Sequence, residues 1–138
     1  MALIGGGGAG IVAGGNPAGT GTSLNYVGEF CYAYSGLKAA NSSSFTDYLK
    51  FSTGSESIVA ELHVSGDWDA LGGNNVETQV SLNSEAIILE DTSAELAPYV
   101  WPIRVIIPPF TRLQTTAKRT SGSDTQYSDC VLTGRVYA

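Results

Sequence analysis

The feature that most constrains the fold is an alternation of apolar and polar residues with a period of two, which begins at Tyr26 and continues to the end of the chain. Ile58, Ala60, Leu62 and Val64, for example, are separated by mostly polar residues. A period of two places alternate side chains on opposite faces of a β-strand. Segments of this kind occupy residues 30–34, 48–51, 58–64, 76–82, 101–107, 113–117 and 130–137, and residues 86–89 form a short apolar run.

The residues between these segments favour turns. Clusters of glycine, proline, asparagine and serine separate the segments, and Pro108-Pro109 ends one of them because proline lacks the donor that a strand ladder needs. Residues 93–96 are compatible with one helical turn, and no longer helix is indicated. We therefore predict an all-β antiparallel sandwich of about eight strands, jelly-roll-like, over residues 24–138. Periodicity does not establish the strand order.

The first 23 residues differ from the rest of the chain. They hold nine of the 17 glycines and no charged side chain. Glycine loses more backbone freedom on ordering than any other residue, so such a segment gains little from folding alone. The scattered apolar residues of this segment indicate that it contacts the surface of a partner. At about 3.3 Å per residue, the fully extended segment is roughly 75 Å long. We predict an extended assembly arm over 1–23, whose contact residues are Leu3, Ile4, Ile11, Val12, Asn16 and Pro17.

The charge of the chain argues against nucleic acid as the main partner. The net charge is −6, whereas phosphate binding needs a concentrated basic face. Residues 51–103 hold nine carboxylates and no lysine or arginine, and residues 104–138 hold five bases and two acids. Either the basic part of one subunit docks on the acidic part of a neighbour, or both sets of charges only solvate the surface. The possible interface residues are Trp101, Arg104, Arg112, Arg119 and Arg135.

No motif indicates catalysis or a cofactor. Gly5, Gly7 and Gly10 have the spacing of a dinucleotide-binding fingerprint, but the strand before it and the helix after it are missing. Asn16-Pro17 stands where a phosphate loop needs lysine followed by serine or threonine. His63 is the only histidine, it is predicted to point outward from a strand, and no nucleophile elbow accompanies it. We expect a protein that is not an enzyme and has no cofactor.

One acidic loop is a candidate ligand site. Asp67, Trp68 and Asp69 follow the third strand, and their oxygens suit a hard cation such as calcium. Trp68 alternatively stacks on a sugar ring or fills a pocket of a partner. The structural alternatives are solvated turn residues and a partly buried loop tryptophan, and the assignment of a site depends on excluding them.

The start of the chain lacks the basic leader and the apolar core of a signal peptide, and no apolar run approaches membrane-spanning length. We therefore expect synthesis in a cytoplasm, and no membrane partner. In that compartment Cys31 and Cys130 are expected to remain thiols in strands, although the sequence leaves open whether they pair.

Three groups of residues resemble small virion proteins of tailed bacteriophages from aquatic hosts. They are the opening segments 2–10 and 13–21, the stretch Leu24-Asn25-Tyr26-Val27-Gly28, and the later segments 106–111 and 132–137. The resemblance implies a structural, non-enzymatic protein on the capsid exterior, a decoration or cement subunit. It further implies a homotrimer that contacts the major capsid protein. The alternative reading is a carbohydrate-binding, host-recognition tip of a head fibre or tail.

Overall fold

The protein consists of ten β-strands and no helix over the residues that the computed structural model describes, which are 23–40, 43–67, 75–91 and 102–138. The strands are β1 (Asn25–Val27), β2 (Phe30–Tyr34), β3 (Lys38–Ala40), β4 (Thr46–Ser52), β5 (Ser57–Asp67), β6 (Val76–Leu82), β7 (Glu85–Asp91), β8 (Ile103–Ile107), β9 (Arg112–Arg119) and β10 (Gln126–Tyr137).

The strands form two antiparallel sheets. One sheet has six strands in the order β1-β2-β10-β5-β8, with β3 pairing to β10, and the other has four strands in the order β4-β9-β6-β7. The eight longer strands pair as nested couples, β2 with β10, β4 with β9, β5 with β8 and β6 with β7. A long hairpin rolled into two sheets gives this nesting, which is the jelly-roll arrangement. The predicted all-β sandwich is confirmed, and the two additional strands, β1 and β3, have three residues each.

The core lies between the sheets and follows the alternation seen in the sequence. Ile58, Ala60, Leu62 and Val64 of β5 are all buried, whereas Glu61 and His63 are exposed. Leu132 of β10 lies between Ala33 of β2 and Leu62 of β5 in the sheet register. The other buried apolar side chains are Cys31, Ala40, Tyr48, Leu49, Phe51, Val76, Val80, Val105, Ile107, Leu113, Ala117, Cys130 and Val136.

Strand β4 departs from strict alternation. The sequence predicts Leu49 and Phe51 on one face and Tyr48 on the other, but Tyr48 is buried as well. A register shift between Asp47 and Leu49 in the pairing with β9 inserts one extra residue and turns Tyr48 inward. Its hydroxyl hydrogen-bonds to the buried hydroxyl of Ser128 on the opposite sheet. Periodicity alone does not detect such a bulge.

The Thr78 hydroxyl on β6 is buried between the sheets and has no hydrogen-bond partner among the described residues. A buried hydroxyl without a partner costs about 1–3 kcal/mol. Thr78→Val keeps the shape of the side chain and removes the hydroxyl, so we expect it to raise the free energy of unfolding by about 1 kcal/mol. Urea titration measures the change. A variant less stable than the original protein would show that the hydroxyl is hydrogen-bonded in solution.

Candidate functional site

The surface with the most unusual chemistry is the outer face of the six-stranded sheet, which points away from the core. The sheet register aligns one residue from each of five strands in a row across this face. Val27 pairs with Phe30, Phe30 with Arg135, Arg135 with Val59, and Val59 with Ile106. We call these five residues the apolar row, since four of the five are apolar and Arg135 stands at the centre.

Three members of the apolar row are strongly exposed. Val27 and Phe30 keep 60% of their surface accessible and Ile106 keeps 64%. Single exposed apolar residues are ordinary, but contiguous ones mark contact surfaces on soluble proteins. Folding leaves most of the surface of these three side chains uncovered. The row therefore has the character of a surface that contacts another molecule.

A second row beside the apolar row is polar. It runs through Asn25, Tyr32, Thr133, Glu61 and Arg104 in consecutive register positions. An apolar centre with polar residues next to it is the usual anatomy of a protein interface.

Two ion pairs balance the charge of this face. Arg104 Nη2 lies 3.4 Å from Glu61 Oε1, and Arg135 Nη2 lies 2.9 Å from Glu29 Oε2. All four side chains are exposed, so each pair adds little to folding stability. Their effect is on the charge of the surface, because the two positive and two negative side chains cancel and leave this part of the face without net charge. Asp129, at the other end of the face, accepts a hydrogen bond from Ser65.

A shallow groove of about 570 Å³ lies on the same face. Phe30, Tyr32 and Tyr137 line it together with Arg104 and Glu61. The Arg135 guanidinium lies 5.6 Å from the ring centroid of Tyr137, a cation–π contact. Aromatic rings beside hydrogen-bonding side chains suit either a protein side chain or a sugar ring.

The structure brings together part of the predicted interface. Arg104 and Arg135 lie on the outer face of the six-stranded sheet, in neighbouring rows. Arg112 and Arg119 belong to β9 in the other sheet, and Arg119 Nη1 donates to the Asp124 carbonyl at 2.8 Å. The four arginines therefore form no single patch. Trp101 lies outside the described residues.

Most residues of the other predicted sites lie outside the part of the chain that the structure describes. Strand β5 continues through Asp67, so the predicted loop begins at least one residue later than the sequence indicates. Trp68 and Asp69 lie outside the described residues, as do Leu3, Ile4, Ile11, Val12, Asn16 and Pro17 of the arm.

Val27, Phe30, Ile106 and Tyr137 are not among the interface residues that the sequence predicts. The alternation of Phe30, Tyr32 and Tyr34 with Cys31 and Ala33 offers two apolar faces of β2. The smaller side chains, Cys31 and Ala33, are the buried ones. The alternation of aromatic with small residues in β2 is the sequence feature that could have indicated an exposed aromatic face.

The two cysteines are free thiols, buried on the inner face of the six-stranded sheet. Burial raises the pKa of Cys31 to about 11, with a further contribution from the Glu56 carboxylate. Burial raises the pKa of Cys130 to about 12, although a hydrogen bond from Thr115 opposes the shift. Among the described residues, no group of three or more metal-ligating side chains is placed to hold an ion.

We expect neither thiol to react quickly with iodoacetamide at pH 8, since the thiolate is the nucleophile and both thiols stay protonated well above that pH. Mass spectrometry after timed labelling measures the reaction, and the urea-unfolded chain is the control that labels twice. Rapid labelling of the folded protein at either cysteine would contradict the assignment.

Comparisons of this chain with models of known protein families, with curated proteins and with solved structures find no match. Within the described ranges, no helix has the length and apolar character needed to span a membrane.

Proposed function

We propose that this chain is a non-enzymatic structural protein of a bacteriophage virion, a decoration or cement subunit on the capsid exterior. In this role it clamps neighbouring capsid subunits through its N-terminal arm and through the β-sandwich. The observation that carries the proposal is the exposed apolar row on the outer face, which offers a surface for protein contact. The resemblance of both chain ends to small phage virion proteins supports the choice of particle.

The place where the predicted sandwich begins fits this role. The sandwich begins at Leu24, one residue before β1, and β1 is an edge strand of the six-stranded sheet. The arm therefore starts at the border of the outer face. At about 3.3 Å per residue, the 23 residues of the predicted arm extend up to roughly 75 Å, enough to cross a neighbouring subunit. A homotrimer remains the prediction for the copy number.

The experiment uses particles of the phage that encodes the chain. We expect mass spectrometry of purified particles to detect the protein, and recombinant full-length protein to bind particles that lack it. The double variant Leu3→Asp, Ile4→Asp should bind at least tenfold more weakly, because charges replace the apolar contacts of the arm. Thr20→Asp adds a charge to the same arm and is the matched control. Absence of the protein from purified particles would refute the proposal.

A second candidate function is recognition of a host surface carbohydrate. The groove lined by Phe30, Tyr32 and Tyr137 is the observation that favours it, since sugars stack on aromatic rings. Titration calorimetry with host polysaccharides tests this candidate. Loss of binding in Tyr32→Ala would assign the sugar to the groove, and loss in Trp68→Ala would assign it to the acidic loop.

A further inference from the structure

We infer that Ile11 and Val12 of the predicted arm dock in the groove on the outer face of the six-stranded sheet of the same chain. We call these two residues the inner pair, and Leu3 and Ile4 the outer pair. The inference goes beyond the proposed function, because it gives one part of the arm a binding place within its own subunit. The outer pair remains for the contact with a neighbour that the proposed function assigns to the arm.

The first argument is charge. Arg104, Glu61 and Arg135 are the charged side chains among the described residues that line the groove. Arg104 and Glu61 form an ion pair with each other. Arg135 is paired with Glu29. A charged ligand therefore finds no unpaired counter-charge in the groove, whereas an uncharged apolar segment needs none. Residues 1–23 hold no charged side chain, so the arm meets this condition.

The second argument is size. Strands β1, β2, β10, β5 and β8 together give the face an area of about 570 Å², from about 3.3 Å per residue and 4.8 Å between strands. A standard stable interface takes roughly 800 Å² from each partner, so the face alone is smaller than a folded domain needs. The groove has the volume of a site that encloses a small ligand, which suits a segment of a few residues.

The third argument is the length of chain between the groove and the inner pair. The predicted sandwich begins at Leu24, one residue before the edge strand β1. Strands β2, β10, β5 and β8 line the groove and lie one to four strand spacings from β1, which is about 5–19 Å. The chain from Val12 to Leu24 is twelve residues long. A glycine-rich linker of that length has a root-mean-square span of about 17–21 Å.

This match of lengths favours docking within the chain. Effective concentration is highest when the span of a linker matches the distance between the sites, and it reaches about the millimolar range for short flexible linkers. The inner pair is therefore presented to the groove at a concentration that a free ligand does not reach in dilute solution. The outer pair is twenty residues from Leu24, with a span of about 22–27 Å that exceeds the distance to the groove.

The fourth argument is the shape of the contact. Phe30 and Tyr137 line the groove and are exposed, so apolar side chains that cover their rings remove apolar surface from water. Gly10 precedes the inner pair, and Gly14 and Gly15 follow it after one alanine. Glycine allows a backbone to approach another surface closely. The inner pair can therefore enter the shallow groove without hindrance from bulky neighbours.

The experiment attaches a nitroxide spin label to Ala9→Cys in the full chain and records the amide signals by nuclear magnetic resonance. Cys31 and Cys130 are buried thiols, so the label is directed to position 9. We expect the amide signals of Thr133 and Gly134, which line the groove, to lose at least half of their intensity. The signals of β6, in the other sheet, should keep theirs.

The double variant Ile11→Asp, Val12→Asp should restore the lost intensity, because it places two charges where the groove offers no counter-charge. Leu3→Asp, Ile4→Asp is the matched control, since it adds the same two charges to the same arm. The loss of intensity should persist in the control. Equal signals in the two double variants would overturn the assignment of the inner pair.

A second set of variants tests the groove itself. Phe30→Asp should restore the intensity, and Phe110→Asp should not. Phe110 is also an exposed phenylalanine, but it lies in the turn between β8 and β9 and does not line the groove. Its φ of +52° is one that aspartate tolerates. Equal recovery in Phe30→Asp and Phe110→Asp would overturn the assignment of the groove.

The other occupants of the groove give different results. Isotope-labelled chains mixed with spin-labelled chains lose intensity only if the arm of one copy docks on another, and such a loss would overturn docking within the chain. Polysaccharide that binds the groove equally well with and without Ile11→Asp, Val12→Asp would also overturn it, since a docked arm competes for the same place.

The outcomes also separate this inference from the proposed function. Full intensity at the groove in a protein that still binds phage particles would overturn the docked pair and leave the virion role intact. Intensity lost at the groove, and restored by Ile11→Asp, Val12→Asp, in a protein absent from particles would support the docked pair and refute the virion role.

Discussion

Replacing Leu132 by alanine is expected to lower the free energy of unfolding by about 3 kcal/mol. Leu132 is fully buried at the middle of β10, the strand that pairs with both β2 and β5. Its register partners in those strands are Ala33 and Leu62, which are also fully buried. Truncation leaves a cavity between the sheets, and the surrounding strands are held by their ladders and relax only partly.

Urea titration at a fixed protein concentration measures this change, because self-association would otherwise shift the apparent stability. Thr133→Ala is the matched control, since Thr133 is the next residue of the same strand but faces outward and is exposed. We expect the control to stay within about 0.5 kcal/mol of the original protein. A loss below about 1 kcal/mol in Leu132→Ala would contradict the position of β10 at the centre of the core.

The sequence predicts most of the longer strands because one face of each lies in the core and the other in water. The run from Ile58 to Val64 shows this most clearly, since every second residue is buried. Strand β7 is an exception, since Ile87 and Leu89 are both exposed. The short strands β1 and β3 are not predicted. A strand of three residues is too short for an alternation of apolar and polar residues to be recognised in the sequence. The strand Lys38–Ala40 is defined by its pairing with β10.

The sheet order depends on contacts that no local pattern contains. Strand β2 pairs with β10, although Tyr32 and its partner Thr133 are about a hundred residues apart. The same non-local pairing creates the candidate site. Arg104 and Arg135 line the same groove because β5 lies between β8 and β10. Their charge makes both arginines candidates in the sequence, but no local pattern distinguishes them from Arg112.

The exposed aromatic face was also beyond sequence reasoning, for a physical reason. Alternation divides the residues of β2 into two faces without stating which face is buried. In the structure the inner face of β2 holds the small side chains of Cys31 and Ala33, which are both buried. Phe30 and Tyr32 consequently lie on the outer face, where they become available for contact with another molecule.

We expect the substitution Gly134→Ala to lower the free energy of unfolding by about 2 kcal/mol. A Cβ atom at this position would lie 2.9 Å from the Val59 carbonyl oxygen and 3.0 Å from the Cα and Cβ of Ala60. The first of these neighbours is backbone in the register of β5 with β10, so it cannot rotate away as a flexible side chain can. The two strands must separate locally to make room.

Gly28→Ala is the control for this variant, because it adds the same methyl group at a glycine of the neighbouring hairpin. A Cβ at Gly28 meets nothing within 4 Å, and its cost comes only from the φ of +60°. That conformation costs an alanine about 1 kcal/mol, and Gly28→Asn should recover much of it because asparagine tolerates a left-handed backbone. No residue is expected to rescue position 134 in this way, since the obstacle there is contact and not conformation. Thermal unfolding of the three variants at equal concentration tests the distinction, and a Gly134→Ala variant as stable as the original protein would refute the close approach of β5 and β10.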